Sequence, residues 1–300
     1  MAIAVVEVQV LSSACDASGA RHWGPFCVVR NERRDSEMSD GYVHGYATDE
    51  QERLVRQAEH WRNDLILPGT TLTPGTRLLE VGCGVGAVLG ILGGAFPGIV
   101  LAGVDVEDRQ VEAARAHLVS LGLRADVRRA DALDLPFAAA SFDHVWMMWF
   151  LEHVGDPVAA LREARRVLVP GGRLTAIEVD YNTVWATPTS DALEGLFAAV
   201  ARAMDSAGRS DTGSHLHRWI ADAGFSKADA GERRLAFSGD ELGRQTDYAA
   251  SVVESTLSAV VEVSNAAAAT LEAGIAALRE LPTIPGAALG WVVHKSTATR

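Results

Sequence analysis

Short apolar runs alternate along this chain with longer amphipathic stretches, and turn residues separate them. "TDEQERLVRQAEHWRNDLI" opens with Thr48 or Asp49 as an N-cap and acids in its first turn, and Leu54, Ala58, Trp61 and Leu65 then share one face. That spacing predicts a helix, closed by "PGTTLTPG". "TRLLEVG" predicts a buried strand, "AVLGILGGAF" a helix and "IVLAGVDV" a second strand. "EDRQVEAARAHLVSLG" follows as a helix ended by Gly122, and "ADVRRAD" as a third strand. "FDHVWMMWF" predicts a fourth strand, with Val145, Met147 and Trp149 alternating against Trp146 and Met148. "DPVAALREARRVL" is a helix stopped by "PGG", and "GRLTAIEVD" a fifth strand. Beyond Asp180 the pattern gives two helices ("SDALEGLFAAVARAMDSAG" and "GSHLHRWIADAGF"), the strand-like "SKADAGERRLAF", a helical block from Asp240 to Leu281, and a last strand in "ALGWVVHKST".

Strands alternating with helices of this length imply βαβ units and a parallel sheet. Right-handed crossovers then put the first strand in the centre, with the carboxyl ends of the strands open to a ligand.

Composition narrows the partners. The 300 residues are 48% hydrophobic, enough for a large core, and the formal net charge of −12 disfavours nucleic acid and anionic membrane surfaces as partners. The cysteines, Cys15, Cys27 and Cys83, are odd in number and lack C-x-x-C spacing. That argues against a disulfide framework or a zinc centre and fits a reducing, cytoplasmic setting with no metal site. No apolar run reaches the roughly 18 residues of a membrane span, and the first residues make a poor signal peptide. Oligomeric state is left open; a homo-oligomer is compatible with the sequence.

The chemistry centres on "LLEVGCGVGAV", Leu78–Val88. Gly82, Gly84 and Ala87 satisfy a G-x-G-x-x-G/A fingerprint, but a loop of this kind ahead of a helix N-terminus accepts a phosphate, a carboxylate or a ribose edge. Asp105 ends the second strand 19 residues past Gly86, where a carboxylate can hold both hydroxyls of a ribose. Asp131, just past the third strand, suits an adenine amino group; a helix N-cap or Asx-turn is its other reading.

Together "LLEVGCGVGAV", "GVDVEDRQVEAAR", "RADALDLPFAAASFDHVWMMWFLEHV" and "EARRVLVPGGRLTAIE" resemble the class I S-adenosylmethionine-dependent methyltransferases of the UbiE/type 11 sort, from about Arg77 to Glu178. "YVHGYATDEQERLVRQA" resembles the N-terminal cap of a small-molecule subgroup. The resemblance implies an α/β fold: a Rossmann-like, doubly wound, seven-stranded sheet with an antiparallel last strand, hairpinned with "ADAGERRLAF", plus a helical cap and an insertion. Residues 1–37 read as a disordered or non-native extension from their loop-like composition, and the resemblance divides the rest into a helical cap (38–75), a cofactor-binding core (76–181) and the rest of the sheet (182–300), with a substrate-capping insertion at about 240–281.

The roles it implies are specific. Glu80 faces the methionine ammonium of S-adenosylmethionine, and Gly82, Cys83, Gly84 and Gly86 wall the methionine and ribose. Asp105 holds the ribose, Val106 packs on adenine, and Asp131 and Ala132 read the adenine edge. Met148 and Trp149 flank the sulfonium, while Tyr46 and Gln57 close over the methionine end. "MMW" after the fourth strand makes that end apolar.

The expected function is methyl transfer to an O, N or C atom of a small molecule, such as a secondary metabolite. His153 leads as general base, with a packing role in the "LEHV" turn as its alternative. Glu178, Asp180 and Tyr181 are rivals for base or cation stabiliser, against turn and packing roles; His44 and His215 are outside candidates. The acceptor is expected under the Tyr42–Leu65 cap, the Asn182–Ala207 helix and the Asp240–Leu281 block, where Trp185, Phe197, Trp219 and Tyr248 either line it or serve as core. Two other classes stay open: a nicotinamide-dependent oxidoreductase and a non-catalytic cofactor-binding protein on the same fold.

Overall fold

The structure, a computed structural model, describes residues 48–229 and 231–300. The expectations for residues 1–37, Tyr42, His44 and Tyr46 fall outside them.

Helix α1 (Thr48–Trp61) continues into a π-helical turn, Arg62–Ile66. Five βα units or strands follow: β1 (Arg77–Val81), α2 (Ala87–Ala95), β2 (Val100–Asp105), α3 (Asp108–Ser120), β3 (Ala125–Arg129), β4 (Phe142–Met148), α4 (Pro157–Val167) and β5 (Leu168–Thr187). The remainder is α5 (Asp191–Ala207), α6 (Thr212–Asp222), β6 (Glu232–Ser238), α7 (Asp240–Ser255), α8 (Leu257–Ser264), α9 (Ala268–Glu280) and β7 (Ala288–Thr299). The strands form one sheet in the order β3-β2-β1-β4-β5-β7-β6. β1 to β5 pair in parallel, and β7 slots antiparallel between β5 and β6.

The two-residue period of the strands sends alternate side chains into separate cores. Leu78, Trp146, Ile177 and Val179 face α1–α3, α5 and α7–α9. Leu79, Val81, Val145, Met147, Leu174 and Ala176 face α4 and α6. Among the described residues, no helix is long and apolar enough to cross a membrane.

Three boundaries differ from the sequence expectation. β4 ends at Met148, because Trp149 adopts a left-handed φ of 50° and leaves the strand. β5 begins before "PGG" and runs past Asp180; three extra residues are looped out in each of two bulges, one across Pro170–Gly172 and one after Asp180. Bulges at a strand end re-aim the side chains beside a site. The Asp240–Leu281 block is three helices; α8 and α9 pack on α5 and α7 on α9, with α9 so close to α5 that a Cβ on Gly274 would lie 2.4 Å from the Leu196 Cβ.

Candidate functional site

β1 is the point where strand order reverses, with β2 on one side and β4 on the other. Open sheets bind ligands outside such a switch point. A cavity of about 560 Å³ lies there, walled by the turn after β1, the ends of β2 and β4, the segment after β3, and α1.

The glycine turn has a distinct reason at each position. Gly82 has φ 73°, and a Cβ on it would sit 2.2 Å from Cδ2 of Phe150. We expect Gly82→Ala to destabilise the fold by about 3 kcal/mol, the sum of overpacking and left-handed strain; an unchanged denaturant midpoint would contradict this packing account. Gly84 also has positive φ, and its N–H donates to Asp105 Oδ2 at 2.8 Å. Gly86 differs from expectation. It is absent from the cavity wall; its φ of 72° turns the chain into α2, and a Cβ would meet Ala114 Cβ at 3.2 Å. Its task is the close approach of α2 to α3. Cys83 is buried on the cavity wall, and burial pushes its thiol pKa well up.

Asp105 accepts a second bond, from Glu107 N–H at 3.0 Å, and burial pushes its carboxyl pKa upward against these backbone donors. A carboxylate has about four acceptor positions, so roughly two remain for a diol. Glu80 is 3% exposed, and its Oε2 has no hydrogen-bond partner. Burial raises its pKa well above the carboxylate range; a backbone bond from Leu89 opposes this and the Asp105 charge adds to it. An orphan buried carboxyl oxygen on a cavity wall fits a cationic ligand group such as an ammonium.

Asp131 forms the Asx-turn foreseen as its alternative, accepting from Leu133 N–H at 2.9 Å, and it also lies on the cavity wall beside Ala132. Val106 and Leu133 are exposed apolar side chains on that wall, 55% and 42% accessible. Both offer apolar contact surface to a ligand in the cavity.

Met148 and Trp149 bound the other end of the cavity. The Trp149 indole N–H is buried and lacks a partner. His153 shares this wall on the short Leu151–His153 turn; neither ring nitrogen is hydrogen-bonded, and burial lowers its pKa to about 4. Its Nε2 lies 3.4 Å from Glu152 Oε1, which also receives the Tyr181 hydroxyl at 3.4 Å. Glu178 holds the turn from below: Oε1 accepts the N–H groups of Phe150 at 3.0 Å and Leu151 at 2.8 Å. Burial pushes Glu178 up to about 8 and Glu152 well up, the latter helped by repulsion from Glu178. His153, Glu178 and Tyr181 are therefore linked through Glu152, with His153 alone on the cavity wall.

Other candidates lie elsewhere. Asp180 accepts from Asn182 N–H at 3.0 Å and from the Ser214 hydroxyl, tying the β5 bulge to α6. His215 stacks on Trp219 on α6, and Trp219 belongs to the core beneath α4. Trp185 packs over Gly290, Phe197 packs against the core, and Tyr248 is stacked on His60 at 4.0 Å. None of these lines the cavity, and among the described residues neither does any part of α5–α9. Apolar faces of these helices pack on each other and on the sheet.

Arg53 and Glu152 escaped the sequence reading. Arg53 is 7% exposed on the cavity wall and donates to Gln57 Oε1 at 2.7 Å. Its signal was an arginine four residues before a glutamine on an otherwise apolar helix face. Glu152 left no signal beyond an acid in an apolar turn. Among the described residues, no three His, Cys, Asp or Glu side chains are grouped to hold a metal ion.

A doubly wound sheet with two carboxyl groups, Glu80 and Asp105, on a cavity at its switch point defines a ligand-binding α/β protein. Residues 79–176 match the family described as "Methyltransferase domain". The chain is 38% identical over 142 residues to 27-O-demethylrifamycin SV methyltransferase of Amycolatopsis mediterranei (strain S699), covering 47% of this chain and 52% of that relative. The chain thus spans about half the length of that curated relative. It is 30% identical over 239 residues to an uncharacterized 37.1 kDa protein in transposon TN4556 of Streptomyces fradiae, 75% of this chain and 68% of the other. In fold it is similar to the [4+2]-cyclase SpnF, with TM-score 0.52 and 23% identity over 81% of each chain. The chain belongs to the class I S-adenosylmethionine-dependent methyltransferases of the UbiE/type 11 sort. That membership replaces the nicotinamide alternative.

Proposed function

We propose that the protein methylates a hydroxyl group of a small molecule, with S-adenosylmethionine as donor. One observation carries the placement of the donor: Glu80 offers an unpartnered, buried carboxyl oxygen in the same cavity where Asp105 presents its free acceptor positions. S-adenosylmethionine supplies an activated methyl group when bound. Glu80 meets its ammonium, Asp105 its ribose and Asp131 with Ala132 its adenine edge, while Val106 and Leu133 flank the ring. Arg53 and Gln57 from α1 meet the methionine end, and Met148 and Trp149 exclude water around the sulfur.

The similarity to an enzyme named for O-methylation favours oxygen as the methylated atom. His153, neutral at pH 7 because burial lowers its pKa to about 4, would be the group on the cavity wall to take the hydroxyl proton, acting as a weak base. The buried, unpartnered Trp149 N–H would be a second donor to that oxygen. The three cysteines keep a reducing, cytoplasmic setting within this proposal.

Calorimetry with S-adenosylhomocysteine and NAD tests the donor: the first binds and the second does not. Absence of S-adenosylhomocysteine binding would sink the reading. For chemistry, methyl-labelled donor with a panel of hydroxylated small molecules should label a product, and His153→Ala should slow labelling about 100-fold with cofactor affinity kept. Equal rates would remove His153 as base.

A further inference from the structure

Lys295 on β7 is 4% exposed, and its partners are unusual. Its Nζ lies within hydrogen-bond distance of the carbonyls of Leu65 (2.8 Å), Ile66 (3.1 Å) and Pro68 (2.7 Å) and of Thr70 Oγ1 (3.1 Å), four acceptors that share its N–H groups. These are the oxygens where α1 and its π-helical turn end. The last carbonyls of a helix lack intrahelical partners and carry the negative end of its dipole, so the lysine head group caps them, as an ammonium below about pH 7, the value to which burial and the Arg233 charge lower its pKa. The turn closes with Leu67 N–H on Arg62 O at 2.9 Å, one residue wider than an α-helical bond. The Trp146 ring, 5.3 Å from Nζ, lies beneath the ammonium.

The same helix carries Arg53 and Gln57 into the cavity. Its C-terminal end is tied a second time, to α7, by His60 Nε2 and Gln245 Oε1 at 2.8 Å and by Trp61 Nε1 on the Tyr248 hydroxyl at 3.3 Å. Both ties lie near one end, and Arg53 lies about 18 Å along the helix from Leu65 at 1.5 Å per residue. A small tilt at the tied end is thereby magnified at the cavity.

We propose that Lys295 is a positioning residue for the cofactor site: its head group latches the C-terminal end of α1 to β7 and so holds Arg53 and Gln57 against the cavity. This rests on reading the cavity as the S-adenosylmethionine site. The sheet has its own packing on both faces, so loss of the latch acts first on α1.

The test compares full-length wild type with Lys295→Met, measuring S-adenosylhomocysteine affinity by calorimetry and hydrogen exchange of the ligand-free protein. The variant should bind about tenfold more weakly or worse. Exchange should quicken in residues 50–66 while β1, β2 and β4 stay protected. Thr70→Val removes one latch oxygen and also the Thr70 hydroxyl bond to Ile66 O at 2.6 Å. It is the milder variant should Lys295→Met fail to fold, with a loss of about threefold expected. A lowered melting temperature with wild-type affinity and no exchange change confined to α1 would mean a merely structural lysine and would overturn the proposal. The failure of wild type to bind S-adenosylhomocysteine would instead remove the cofactor reading, and the exchange measurement still judges the latch.

Discussion

Asp105→Ala is expected to weaken S-adenosylhomocysteine binding about 100-fold or more while the protein stays folded. The side chain bridges the glycine turn and the start of α3, and both of its oxygens already accept backbone N–H groups. Those bonds aim its remaining acceptor positions at the cavity. Two hydrogen bonds from a diol to a charged acceptor contribute about 3 kcal/mol or more together, and each 1.4 kcal/mol is tenfold in affinity. The variant also frees the Gly84 N–H, which faces the open cavity where water replaces the lost partner. Circular dichroism and melting therefore change less than affinity. Calorimetry decides the matter: wild-type affinity in the variant would disprove the placement of the ribose.

Glu178→Gln is expected to change how stability depends on pH. Burial holds the folded-state pKa at about 8, against 4.5 for the ordinary side chain. A carboxyl raised in this way contributes stability that is fully present below about pH 4.5 and is lost as pH rises through about 8. Glutamine keeps an Oε1 acceptor for Phe150 and Leu151 N–H but carries no proton to lose. At pH 8.5 the variant should therefore be more stable than wild type by on the order of 3 to 5 kcal/mol relative to the difference at pH 4.5. It also removes the charge that helps raise Glu152. His144 and His153, both lowered to about 4, give the opposite slope between pH 4 and 6.5 and are common to both proteins, so the difference between the two curves reports Glu178 together with its coupling to Glu152. Urea midpoints across this range test it; parallel curves would show that Glu178 ionises freely in the folded state.

Much of the site was legible because it is local. Glu80, Gly82, Cys83, Gly84 and Asp105 sit where a strand end and its following turn put them. Such placement needs only the chain on either side. Gly86 was read by its letter in the same motif, yet its function is set by Ala114 and Leu118, on a helix that the motif does not mention. The "EH" pair shows the same limit. His153 was singled out for its chemistry, while Glu152 acquired its importance only when β5 brought Tyr181 and Glu178 beside it.

Periodicity and turn residues by themselves determined the elements, and the handedness of βα crossovers then determined the parallel half of the sheet and the end where a ligand binds. Both follow from backbone sterics that act over a few residues or one crossover. Only the tertiary structure decided which polar groups are buried alone, which aromatics became core, and that Lys295 meets the end of α1. Burial depends on every neighbour at once, and those neighbours come from segments far apart in the chain. That is why the chemistry of Glu80, Glu152 and Lys295 is absent from their local sequence and present in the fold.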